Sequence, residues 1–134
     1  MPGASSVRDP AWVMGTTALV DDNAQLRRTL RRTLADRGWQ VSYVGERVDL
    51  DQVVDVIILD LSLGTHSGLE ELARLRAAGR DDAVVIYSNH TEDVLRRRCL
   101  DLGAMAVVDK CAPLEVLLAA LRVARDDGSG DDDE

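Results

Sequence analysis

Lysine is almost missing from this sequence. Of the 16 basic residues among its 134, all but Lys110 are arginine, so any role needing a flexible primary ammonium has one candidate. Cysteine is scarce: Cys99 and Cys111 lack metal-ligand spacing and are expected to be small, partly buried side chains, not a disulfide framework. The two histidines, His66 and His90, sit in turn-like stretches and are too few for a zinc site. No run approaches the roughly 18 apolar residues of a membrane span, and the chain's start lacks the basic and apolar regions of a secretory signal. A cytoplasmic protein with no membrane partner is expected. Positive charge is not in excess either: 24 acidic residues against 16 basic give −8, and without a basic face nucleic acid is not an expected partner.

The acidity is uneven. Asp126, Asp127, Asp131, Asp132, Asp133 and Glu134 carry six of the negative charges, and removing them leaves −2 for the rest. Residues 126–134 are expected to form a solvated, disordered acidic tail, and residues 1–14 a flexible lead-in. What lies between is 46% hydrophobic by the chain's overall composition and long enough for one core.

Residues 17–20, 53–59, 83–87 and 106–108 are short apolar runs rich in β-branched side chains, and residues 40–44 form a weaker, alternating fifth. Near-continuous runs suit strands covered on both faces, as in a parallel sheet between helical layers; alternation suits an edge. Between them Leu26, Leu30 and Leu34 mark one apolar helical stripe, with arginines expected toward water and Gly38 closing the helix. Leu69, Leu72 and Leu75 mark a second closed by Gly79. Leu95, Cys99 and Leu102 mark a third closed by Gly103, and Pro113 opens a fourth. Residues 46–52 are expected to give only a short helix of one or two turns. The pattern is a doubly wound five-stranded α/β domain.

The residues at the strand ends are informative. Asp21-Asp22, Asp60, Ser88-Asn89 and Asp109-Lys110 all come where a strand stops, and a parallel sheet collects those positions on one edge. Any single Asp there reads equally well as a turn or cap residue. Together, Asp21, Asp22 and Asp60 form a cluster whose mutual repulsion demands a cation. Lys110 compensates one charge, and the oxygen-rich remainder suits Mg²⁺. With both cations present, the Asp60 carboxylate is placed to attack a phosphorus centre.

Asp21-Asp22, Asp60 within 57–60, Ser67-Gly68-Leu69-Glu70, Ser88, Gly103-Ala104 and Lys110 resemble the signature of two-component response-regulator receiver domains. The resemblance spans residues 16 to about 125, which makes residues 15–125 the receiver domain. It implies a flavodoxin-like sheet in order 2-1-3-4-5, with Asp60 as phosphoacceptor. It also implies Mg²⁺ held by Asp22, Asp60 and the backbone carbonyl of Ser62, with Asp21 acting through water. Ser88 would hydrogen-bond the acyl phosphate, and Lys110 would pair with Asp60 and then with a phosphate oxygen.

Four positions depart from the family pattern. Val107 replaces the usual aromatic residue of strand five. Cys111 replaces the proline after the lysine, so a trans peptide is expected. Asn89 stands where a small residue is usual and is expected to cap a helix beginning near Thr91. The loop after Asp60, residues 61–68, lacks its usual proline.

On the last helix Leu114, Leu117, Leu118 and Leu121 are expected to face the core, leaving Val116, Ala119 and Val123 as a second apolar face for a partner or homodimer. Arg96-Arg97-Arg98 reads as a solvated charged stretch. The leading expectation is a stand-alone phosphoacceptor receiving its phosphoryl group from a sensor histidine kinase or phosphotransfer protein. It would switch a protein–protein interaction and catalyse at most its own phosphorylation and dephosphorylation. The alternative is a phosphorylation-independent interaction module on the same fold.

Overall fold

Five apolar runs become the strands of one parallel sheet. The structure, a computed structural model of the chain, describes residues 13–130. Strands β1 (Gly15–Val20), β2 (Trp39–Gly45), β3 (Val56–Leu59), β4 (Val84–Ser88) and β5 (Ala106–Asp109) stand in the order β2-β1-β3-β4-β5, every pair parallel. The described helices are α1 (Ala24–Asp36), α2 (Gly68–Ala77), α3 (Asp93–Asp101) and α4 (Leu114–Gly130). The expected doubly wound architecture and sheet order are present, with the alternating strand β2 at an edge.

All of β3 and β4 is buried, because successive side chains feed opposite helical layers. Ile57, Leu59, Val84 and Ile86 join Leu72, Leu75 and Cys99 on the α2/α3 side. Val56, Ile58, Val85 and Tyr87 join Leu30, Leu34, Leu117 and Leu121 on the α1/α4 side. Gly38, Gly79 and Gly103 follow α1, α2 and α3 with φ of 89°, 80° and 91°, the left-handed conformation that ends a helix and favours glycine.

Several expectations are corrected. The run 53–59 is a strand only from Val56, whose partner on β1 is Thr17. Just upstream the Asp55 N–H donates to Thr16 O, while its carboxylate accepts from Thr16 N–H at 2.9 Å, and Val53 is 84% exposed. Residues 46–52 contain no helix. Their backbone groups are taken up by side chains from elsewhere: Val48 N–H donates to Glu71 at 2.8 Å, Val48 O accepts from Arg74, and Leu50 O and Gln52 O accept from Arg80. A segment whose polar groups are satisfied this way has no need of helical hydrogen bonds. At the other end α4 continues through residues 126–130, which were expected to be tail, since each residue added to an existing helix gains a hydrogen bond without a new nucleus. The rest of the expected tail, and the lead-in up to residue 12, lie outside the described residues.

The arginines are less uniformly solvated than expected. Arg27 donates to Asp21 O at 2.7 Å, and Arg96 reaches Val107 O at 3.2 Å. Arg76 donates to the carbonyls of Leu102, Arg80, Asp82 and Gly103. Cys99 is buried as expected, whereas Cys111 is exposed.

Candidate functional site

The ladder hydrogen bonds run one residue beyond the strands, which fixes the residues at the carboxyl edge. Asp21 N–H donates to Gly45 O, Asp60 N–H to Val20 O, and Lys110 N–H to Ser88 O, at 2.9 to 3.0 Å. The side chains therefore leave a rigid sheet. Asp21 is 1% exposed and Asp60 5%, while Asp22 faces solvent. Carboxylate oxygens of all three lie within 4.8 Å of one another. Lys110 Nζ stands between two of them, 2.8 Å from Asp21 Oδ2 and 3.3 Å from Asp60 Oδ2.

Burial pushes the Asp60 carboxyl above its ordinary range, and Asp21 adds to this; Lys110 and the Ser62 N–H pull the other way without cancelling it. Burial alone would make Lys110 a weaker base, but Asp21 and Asp60 outweigh it and raise its pKa. One ammonium thus serves two buried carboxylates, with a third carboxylate beside them. The donor set is all carboxylate oxygen, so these residues fit a hard divalent cation of the Mg²⁺ type.

The cleft around them holds about 180 Å³ and is lined by Asp21, Asp22, Asn23, Asp60, Ser62, Asn89, His90 and Lys110. Ser88 is fully buried at the end of β4, and its Oγ accepts the His90 N–H at 3.0 Å, leaving the hydroxyl proton for another acceptor. Asn89 is not the expected helix cap. α3 starts at Asp93 behind Glu92, which makes no side-chain cap, and Asn89 lies on the cleft wall instead. The helix begins later than a cap at Asn89 requires.

Asp109 and Cys111 shape the rim beyond Lys110. The Cys111 N–H, followed by the Thr91 hydroxyl, holds the Asp109 carboxyl below its ordinary range, and no peptide bond among the described residues is cis. Val107 is buried in the α2/α3 layer of the core. Val116 and Val123 are 45% and 57% exposed on α4, opposite buried Leu117, Leu118, Leu121 and Ala124. Gly68 opens α2 hard against the site: a Cβ there would lie 2.1 Å from Asp60 O.

The expectations missed Glu71, which is 1% exposed. Its Oε1 accepts from Val48 N–H and from Arg74 at 2.9 Å, and its Oε2 faces Arg47 at 3.3 Å and His66 Nε2 at 3.4 Å. Burial pushes this carboxyl up, yet Arg74, the Val48 N–H and Arg47 together hold it below its ordinary value. The buried residues of α2, Gly68, Glu71, Leu72 and Leu75, stand at i, i+3, i+4 and i+7. That spacing was the available signal: an acid inside an apolar stripe, with Arg74 three residues on.

Comparison with known proteins gives the same result as the geometry. The family model for the response regulator receiver domain matches residues 17–122. Response regulator MprA of Mycolicibacterium vanbaalenii is 32% identical over 123 residues, covering 84% of this chain and 53% of that protein. The alginate biosynthesis transcriptional regulatory protein AlgB of Pseudomonas aeruginosa is 32% identical over 114 residues, 81% of this chain and 25% of that protein. The chain thus spans a quarter to about half the length of these curated relatives. A CheY-like receiver domain protein from Methanospirillum hungatei superposes with a TM-score of 0.78 at 16% identity, over 87% of this chain and 97% of that one. A response regulator protein from Burkholderia pseudomallei, solved with a phosphorylated aspartic acid, calcium ion and citrate, gives a TM-score of 0.71 at 26% identity, over 88% of this chain and 72% of that one. Sheet order, acidic edge and family match run over the same residues, and the chain belongs to the response regulator receiver domains.

Proposed function

We propose that this domain accepts a phosphoryl group onto Asp60 from a phosphohistidine of a sensor histidine kinase or phosphotransfer protein, and that this switches a protein–protein contact. One observation carries the reading: Lys110 holds Asp21 and Asp60 together at the carboxyl edge, beside a third carboxylate. The phosphorylated aspartic acid and calcium ion of the Burkholderia relative support it.

Asp60 and Asp22 would hold Mg²⁺ with the Ser62 carbonyl, and Asp21 would act through water. When bound, the ion neutralises charge on the phosphoryl oxygens. An Asp60 Oδ attacks phosphorus; the O–P bond forms as the donor's N–P bond breaks, and the electron pair returns to the imidazole nitrogen. Lys110, already within hydrogen-bond reach of Asp60, then pairs with a phosphoryl oxygen, and the free Ser88 hydroxyl proton supplies a second contact. The domain transfers the donor's phosphoryl group only to its own carboxylate, so no enzyme activity on other molecules is proposed.

Among the described residues no helix is long and apolar enough to cross a membrane. The cytoplasm is the proposed compartment, because the donor's phosphohistidine must meet Asp60 there. The exposed Val116/Val123 face of α4 is the proposed contact for a downstream protein or a second copy. A second reading, binding without phosphorylation, draws on Val107: the family's usual ring in β5 is replaced by a packed aliphatic, leaving no ring to move.

The test is incubation with Mg²⁺ and acetyl phosphate, followed by intact-mass measurement. A gain of one phosphoryl group that Asp60→Asn abolishes is expected. No gain from small donors or from any kinase refutes phosphotransfer and favours the second reading. A stability corollary has a definite sign. A carboxyl whose folded pKa is raised above its ordinary 3.8 contributes stability below that pH and loses it as pH rises through the folded value. At neutral pH without divalent cations, Asp60→Asn should therefore melt above the wild type.

A further inference from the structure

We infer that His66, tethered by the buried Glu71, is a positioning residue that aims the Ser62 carbonyl at the metal site. The inference rests on the proposed Mg²⁺ site and adds the device that orients its one backbone ligand.

The loop from Asp60 to α2 folds back on itself. Gly68 N–H donates to Leu61 O at 2.8 Å, Ser62 and Ser67 form an isolated antiparallel bridge, and Leu63 N–H donates to His66 O at 3.1 Å. The last bond matters most. The C=O of Ser62 and the N–H of Leu63 belong to one planar trans peptide, in which the two point in opposite directions. Holding the N–H against His66 O therefore turns the Ser62 carbonyl the other way, and Ser62 lines the acidic cleft. Whatever fixes His66 fixes that carbonyl.

The imidazole is fixed from outside the loop. Its Nε2 is buried, makes no regular hydrogen bond, and lies 3.4 Å from Glu71 Oε2. On the other edge of the ring Thr65 Oγ1 stands 3.3 Å from Nδ1. When Thr65 donates to Nδ1, the ring proton sits on Nε2, 3.4 Å from the carboxylate and able to close on it with a small rotation of the ring. Glu71 cannot drift: Val48 N–H and Arg47 hold it from the 46–52 segment, and Arg74 holds it from its own helix. The chain of contacts is Glu71, His66 ring, His66 carbonyl, Leu63 N–H, Ser62 carbonyl. It does for a carbonyl what hydrogen-bonded partners behind a metal's direct ligands do elsewhere, where their loss costs about 10–100-fold in metal affinity.

The experiment measures Mg²⁺ affinity by calorimetry on wild type, His66→Ala, His66→Gln and Glu71→Gln, with thermal melts in the absence of Mg²⁺. His66→Ala should weaken Mg²⁺ binding by about tenfold. His66→Gln, whose amide still donates toward Glu71, should recover most of the affinity. Glu71→Gln, which keeps the side-chain volume, should weaken it in the same direction as His66→Ala. The Mg²⁺ concentration that half-saturates phosphorylation by acetyl phosphate should rise by the same factor, about tenfold, in His66→Ala. The Leu63 amide resonance should move on Mg²⁺ addition in the wild type and less in His66→Ala. Unchanged Mg²⁺ affinity in His66→Ala, or equal losses in His66→Ala and His66→Gln, overturns the tether while leaving the proposed function standing. A wild type that binds no Mg²⁺ overturns the proposed function itself, and the tether with it.

Discussion

Replacing Lys110 by methionine isolates what its ammonium contributes. The Lys110 side chain is 14% exposed, against 2% for Asp21 and 7% for Asp60, so all three groups are largely withdrawn from water. Methionine keeps much of the apolar stem, leaving the lost charge as the main change. Removing one partner of a buried pair costs about 3–5 kcal/mol, because the remaining charge is left buried and uncompensated. The partly wetted ammonium puts this case at the lower end, about 3 kcal/mol, or about 10 °C in Tm for a domain of this size. The loss should depend on pH. Lys110 draws the raised Asp60 pKa downward, so its contribution is largest where Asp60 is ionised and shrinks as Asp60 takes up a proton. Mg²⁺ should restore part of it, since a cation at 100 times its Kd adds about 2.7 kcal/mol to the folded state. The assay is urea unfolding followed by tryptophan fluorescence, from neutral to acidic pH, with and without Mg²⁺. A Lys110→Met protein within about 0.5 kcal/mol of wild type at neutral pH without cation, or a gap that ignores pH, would refute the reasoning.

Two other substitutions probe the scaffold around the site. Gly68→Ala places a Cβ 2.1 Å from Asp60 O and 2.8 Å from Leu61 Cα, both backbone atoms that cannot rotate away. It should destabilise by about 1–3 kcal/mol despite alanine's better helix propensity, and slow phosphorylation of Asp60; a higher melting temperature would count against the close packing. Glu71→Gln should cost about 1–3 kcal/mol at neutral pH by leaving Arg74 and Arg47 without their anion. A carboxyl held below its ordinary 4.5 contributes stability above that pH and loses it as pH falls through the folded value. The gap between Glu71→Gln and wild type should therefore close in acid unfolding curves, and a gap that persists at low pH would show that the loss is not ionic.

The strand ends were legible because burial on both faces writes β3 and β4 as unbroken apolar runs, with the first polar residue marking the edge of the sheet. The same signal overran at Val53, since a valine in an exposed loop looks identical to one in a strand. The site's Asp21, Asp22, Asp60 and Lys110 were legible for the same reason as the strands. Their neighbours were not. Asn89 reads from the sequence as a cap, and only the start of α3 at Asp93 leaves it on the cleft wall instead. Residues 46–52 have no helix because Glu71, Arg74 and Arg80, some 20 to 30 positions away, take their polar groups. Local pattern cannot show a partner that distant, although the acid in the α2 stripe hinted that one was needed.

Lys110 meets Asp21 across 89 positions of sequence and Asp60 across 50. Such a contact carries a heavy loop-closure cost and rewards nothing until β1, β3, β4 and β5 have all paired. The cluster therefore has no partial form. A chain that has assembled only its first three strands has acids but no cation among them, and their repulsion works against collapse at that edge. Adding β5 turns the repulsion into attraction in a single step. The charges proposed to serve phosphotransfer thus also reward completion of the sheet, because the ammonium that reconciles the acids arrives only with β5.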